Sequence, residues 1–260
     1  MKNTIWIFGD SFSWDYKQRV ARNEVNFESD QGWQYIQNHL NGEIFSSWGE
    51  LLSKYLDYEY KNYSAGTEVC IPNMSTIFNS NDDMINVVSH FASEFKKDDI
   101  VFLGFTDICR FKWAFLDPNG NEVAQIILPS HPTPSNLKDS ETTLNDILIN
   151  RSEMKFYIYD LLQQLRPLEL LSDIIGFKLY YWDWSEYFDN MVYEKKLPND
   201  RWIFFQSDDR YKNYGHLIWD IYEKGPICWE TDFKNPDSHM GKIGHEIHAQ
   251  HLYNYLKNIL

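Results

Sequence analysis

The chain has 260 residues, 43% of them hydrophobic, enough for one large packed domain, which excludes a chain disordered throughout. Its formal net charge of −14 repels polyphosphate and removes the counterion-release term behind most nucleic-acid binding, so no nucleic-acid partner is expected. Cys70, Cys109 and Cys228 are odd in number and widely spaced, with no CxxC pair; this argues for a reducing compartment and against a disulfide framework or a cysteine zinc site.

No apolar run approaches the ~18 residues that cross a bilayer, so no membrane partner is expected. No basic leader with an apolar stretch and a cleavage site precedes Ile5. The expected location is cytoplasmic, and association with a virion is also compatible with the sequence.

In chain order, Thr4–Phe8 predicts a short strand covered on both faces, because its apolar residues run without polar alternation. Residues 13–45 are polar and irregular, apart from a helix signal in QGWQYIQNHL. Ser46 or Ser47 can cap a helix whose Trp48, Leu51, Leu52, Tyr55 and Leu56 recur at helical spacing. A strand over Tyr58–Tyr63 and a loop with Gly66 follow. Residues 81–96 predict a second amphipathic helix through Met84, Ile85, Val87, Val88, Phe91 and Phe95, and DDIVFLGFTD a buried strand running into a polar loop. FLDPNGNEVAQIIL predicts a hairpin, since Asp117-Pro118-Asn119-Gly120 is turn chemistry between apolar runs. PSHPTPSN is a loop, and residues 141–171 predict a helix whose later part Pro167 disturbs. FKLYYWDW is the fourth central strand, residues 198–235 carry no readable pattern, and GKIGHEIHAQHLYNYLKNIL closes the chain as a helix. Strands alternating with helices predict a parallel sheet covered on both faces, without an internal repeat or a linker.

In such a sheet, ligand chemistry gathers outside the carboxyl ends of the strands. Three predicted strand ends carry polar punctuation: Gly9-Asp10-Ser11, Ser64-Ala65-Gly66 and Gly104-Phe105-Thr106-Asp107. A fourth polar cluster, NPDSHMGKIGH, precedes the last helix. A nucleophilic serine needs a base, an acid that orients the base, and donors for the oxyanion. Ser11 is the candidate nucleophile, His239 the base and Asp237 the acid. The N–H groups of Ser11 and Gly66 are candidate oxyanion donors, and glycine lets the backbone come close to a substrate. Asp10 reads as an acceptor within its own loop, and Asp107 as a turn cap.

These stretches resemble the blocks of the SGNH/GDSL hydrolase family. IFGDSFS is similar to the first block, NYSAGT to the second, VFLGFTD to the third (usually GxND) and PDSHMGKIGH to the last (usually DxxHPxxxGH), in family order. The resemblance implies a flavodoxin-like three-layer α/β/α sandwich with a mostly parallel sheet. It also implies one domain over residues 1–260, with insertions near 13–45, 112–150 and 198–232, and ester hydrolysis without metal or other cofactor. It assigns Ser11, His239 and Asp237 to a triad, and Ser11, Gly66 and Thr106 to the oxyanion hole. Two departures stand out. Thr106 replaces the family's asparagine, whose amide is the third oxyanion donor; loss of one such donor costs ~100-fold or more in rate. Asp237 lies two residues before His239, with Pro236 at the usual place, a D-x-H spacing that resembles members acting on polysaccharide acetyl groups.

The expected activity is a serine esterase acting on small acyl esters, acetyl esters of carbohydrate first among them. Most of the aromatic residues, 17% of the chain, are expected in the core, and some as platforms for sugar rings. Two alternatives stay open: a fold kept for binding or assembly without catalysis, and an acyltransferase using the same serine. His245, His248 and His251 suggest zinc, but an HExxH helix needs histidine at position 249, which is Ala, so a solvated or core-edge helix face is expected. GDSFS is not followed by GK[ST], which excludes a P-loop. RFKWAF, basic and aromatic by turns, reads as a lining of the site.

Overall fold

All six residues of Thr4–Gly9 (β1) are buried, as an apolar run without alternation requires when both faces of a strand are covered. The computed structural model describes residues 2–9, 13, 15, 17, 45–64, 81–105, 111–116, 122–127, 154–183, 201–203 and 242–260. After β1 come α1 (Trp48–Leu56), β2 (Glu59–Ser64), α2 (Asn81–Phe91), β3 (Ile100–Phe105), β4 (Phe111–Leu116), β5 (Glu122–Ile127), α3 (Met154–Ile175), β6 (Lys178–Asp183) and α4 (Lys242–Leu256). The predicted helix in QGWQYIQNHL lies outside the described residues.

The main sheet is parallel throughout, in the order β2-β1-β3-β6. The chain starts in the middle, crosses to one side and then returns past β1 to the other. Right-handed crossovers in opposite directions put helices on opposite faces. On one face Trp6, Phe8, Val101, Leu103, Phe105, Leu179 and Tyr181 pack against Met84 and Val88 of α2 and Leu161, Leu165 and Leu168 of α3. On the other, Ile5, Ile7, Ile100, Phe102, Tyr180 and Trp182 meet Trp48 and Leu52 of α1 and Ala249, Leu252 and Leu256 of α4. The fold is a three-layer α/β/α sandwich, with its strands in the flavodoxin-like order.

Local chemistry fixes several junctions. Ser47 caps α1, its Oγ accepting from the Glu50 N–H at 3.2 Å, and Asp57 ends the helix in the left-handed region at φ 57°. A Cβ on Gly49 would collide with Ile7 Cδ1 and stand 2.6 Å from Tyr60 Cε2, so glycine lets α1 seat directly on β1 and β2. Asp99, only 1% exposed, collects three donors: the Thr4 N–H at 2.8 Å, Trp6 Nε1 at 3.1 Å and the Lys96 N–H at 3.1 Å.

β4 and β5 form the predicted hairpin as a separate antiparallel sheet, with Phe111 opposite Ile127 and Leu116 opposite Glu122. The helix expected over 81–96 ends at Phe91, and Ala92–Glu94 tighten into a 3₁₀ turn. Pro167 does not end its helix: α3 continues to Ile175. Pro167 is exposed, so water can satisfy the carbonyl that loses its partner, while buried Leu161, Leu165 and Leu168 hold the helix to the sheet on either side. Within the unreadable stretch, Trp202 forms a parallel bridge with Tyr181, where the Tyr181 N–H donates to Arg201 O at 2.8 Å and the Ile203 N–H to Tyr181 O at 2.9 Å. Among the described residues, no helix is long and apolar enough to cross a membrane.

Candidate active site at the strand carboxyl ends

β1, β2 and β3 finish side by side, Gly9 aligned with Ser64 on one flank and Gly104 on the other. Ser11, Gly66, Thr106, Asp237 and His239 all lie outside the described residues, as do Asp10 and Asp107. The described residues supply the frame that leads into them. Ser11 follows Gly9 after Asp10, Gly66 follows Ser64 after Ala65, Thr106 directly follows Phe105, and Met240 and Gly241 separate His239 from α4.

The last helix starts at the same end of the sheet. α1 leads into the beginning of β2, so its first turn lies toward the strand carboxyl ends. There the Trp48 N–H donates to His245 Nδ1 at 2.9 Å, which brings the first turn of α4 beside it. The bond requires an unprotonated Nδ1.

A buried polar cluster at this end links β2, the start of α1 and residues that follow β1. Ser13 and Asp15 are 0% and 2% exposed. Asn62 Nδ2 donates to Ser13 O at 2.7 Å and to Tyr60 Oη at 2.8 Å, while Asn62 Oδ1 accepts from the Ser64 N–H at 2.9 Å. Ser47 Oγ donates to Asp15 Oδ2 at 2.8 Å and lies 2.9 Å from Tyr60 Oη. Burial, then the Asp15 charge, pushes the Tyr60 phenol well above its ordinary range, so it stays neutral. Lys17 Nζ reaches Ser46 Oγ at 2.8 Å and Glu50 Oε2 at 3.1 Å. Burial raises the Glu50 carboxyl, but hydrogen bonds from Lys54 and Lys17 outweigh it and hold the group below its usual range.

Gly9 is needed here for space: a Cβ would strike Ser13 Oγ and stand 3.3 Å from Gly104 O. Ser13 Oγ and Ser64 Oγ, both buried, have no hydrogen-bond partner among the described residues.

Of the histidine run, His245 and His248 are buried and His251 is half-buried, the core-edge face of the two alternatives expected. His245 is 5% exposed, and His248 is fully buried, its ring centroid 4.8 Å from that of Trp48 and 5.9 Å from that of Trp182. Burial, with smaller contributions from His245 and His251, lowers the His248 imidazole well below its ordinary value. Among the described residues, no group of three or more His, Cys, Asp or Glu is placed to hold a metal ion.

Sequence reasoning missed Asn62, Asp15 and Ser47 as one cluster. A signal existed: Tyr60, Asn62 and Ser64 alternate along β2, so all three face the same side. No protein-family model matches the chain, and no curated protein or solved structure matches it at a significant level.

Proposed function

We propose that the protein is a cytoplasmic serine ester hydrolase of the SGNH/GDSL type, with small acyl esters of carbohydrate, acetyl esters first, as substrates. The observation that carries this reading is the parallel alignment of Gly9, Ser64 and Gly104 at adjacent strand ends. Adjacent strands lie ~4.8 Å apart and an extended residue spans at most ~3.6 Å. Ser11 and Gly66 each follow their strand end by two residues and Thr106 follows Phe105 directly, which supports a shared site for the three. The His245 contact sets the first turn of α4 at the same end, and His239 precedes α4 by three residues in the sequence.

In the proposed reaction, Ser11 Oγ attacks the ester carbonyl as His239 takes its proton, with Asp237 holding the imidazole in the productive tautomer. The N–H groups of Ser11 and Gly66 and the Thr106 hydroxyl receive the oxyanion. His239 then protonates the departing alcohol, and water, deprotonated by the same imidazole, releases the acid from Ser11. The test is hydrolysis of p-nitrophenyl acetate: the wild type turns it over and Ser11→Ala does not. Equal rates for the two would overturn the reading.

A further inference from the structure

We propose that Asn62 is a positioning residue that locks the nucleophile-bearing segment to the oxyanion-bearing one; the inference rests on the hydrolase reading above. Asn62 sits inside β2 and is 2% exposed. Its amide does two opposite things. Nδ2 donates to the carbonyl of Ser13, just beyond Ser11, and Oδ1 accepts from the N–H of Ser64, just before Gly66. A carbonyl can only accept and a backbone N–H can only donate, so these partners fix which end of the amide is which.

The second Nδ2 hydrogen goes to Tyr60 Oη, which stands beside Ser47 Oγ, so the orientation of the amide is anchored to the start of α1. At this size, only asparagine combines a donor and an acceptor in that geometry. A nucleophile held off its line of attack by ~1 Å loses about 100-fold in rate, which sets the scale of the effect.

The test is the rate at which a fluorophosphonate probe labels Ser11, with p-nitrophenyl acetate kinetics alongside. Asn62→Asp keeps the shape and the acceptor facing the Ser64 N–H but puts an oxygen against the Ser13 carbonyl. Labelling and kcat are expected to fall about 10- to 100-fold with KM little changed. On acidification the introduced carboxyl regains a proton to donate, so the variant-to-wild-type ratio rises. Asp15 and Tyr60 stand beside the introduced carboxyl, so the direction of the change in that ratio, not its midpoint, is the readout. A folded Asn62→Asp protein labelled at the wild-type rate, or one whose ratio does not change with pH, overturns the proposal. If Asn62→Asp does not fold, Tyr60→Phe serves instead: it removes the hydroxyl that steers the amide, and a fall of about 3- to 10-fold is expected. Wild-type labelling by the folded Tyr60→Phe protein overturns the proposal. A wild type labelled no faster than Ser11→Ala overturns the hydrolase reading and this proposal with it, so the two failures are separable.

Discussion

The backbone N–H of Trp48 donates to His245 Nδ1 over 2.9 Å, joining the first turns of α1 and α4 across 197 positions of sequence. The first N–H groups of a helix have no partner within it, and here the imidazole of another helix supplies one. His245→Leu keeps apolar bulk but leaves the buried N–H without its acceptor. It is expected to lower unfolding free energy by about 1–3 kcal/mol, read by urea denaturation. An unchanged midpoint and slope would show that the bond contributes nothing.

His248 makes the same helix pair sensitive to acid. The unfolded imidazole titrates near 6.5, while burial holds the folded one well below that. Between those two points the unfolded chain binds more protons, so stability rises with pH through this window and is lost as pH falls below about 6.5. Above it both states are neutral and the effect vanishes. His248→Gln is expected to flatten this acid limb in denaturation series at stepped pH. His251→Gln flattens it less, because His251 is only half-buried and its pKa is lowered without the added charge effects of its neighbours. Equal acid limbs in wild type and His248→Gln would refute the assignment.

The apolar strands were legible because a parallel sheet buried on both faces needs unbroken runs such as IWIF and IVFLGF. The first turn of α1 was legible because Ser47 and the spacing of Trp48 and Leu52 carry both a start signal and a face. Tertiary contacts were not. Pro167 breaks a helix only where packing is too weak to hold both sides, and periodicity says nothing of that strength. Asn62 reads locally as a polar residue in a mediocre strand; its role depends on Ser13 and Tyr60, which only folding brings together. The motif order legible in the sequence named Ser11 and His239, whereas the described frame shows the strand ends and helix starts that lead into them.

Asp99 is expected to be the most sensitive polar position of the described core. Its carboxylate takes donors from the start of β1, from the Trp6 indole and from the turn at Lys96. Asp99→Ala takes this acceptor from the buried Thr4 N–H and Trp6 indole and from the part-buried Lys96 N–H, at a cost of about 3 kcal/mol. Asp99→Asn keeps one oxygen acceptor and is expected to lose less. Thermal unfolding of the two variants checks the order; an alanine variant as stable as the asparagine one would refute it.

Pro167 gives a prediction of opposite sign. It lies on the exposed side of a helix that continues past it, where it withholds an N–H from the carbonyl of Gln163 and, in the helix interior, caps nothing. Proline in a helix interior costs about 3 kcal/mol relative to alanine, and its stiffening of the unfolded chain returns only about 1 kcal/mol. Pro167→Ala is therefore expected to stabilise the protein by about 1–2 kcal/mol and raise its Tm. Because Leu161, Leu165 and Leu168 already hold both halves of α3 against the sheet, helix content by circular dichroism should not change. A lower Tm would mean that α3 depends on the proline, contrary to its exposed position.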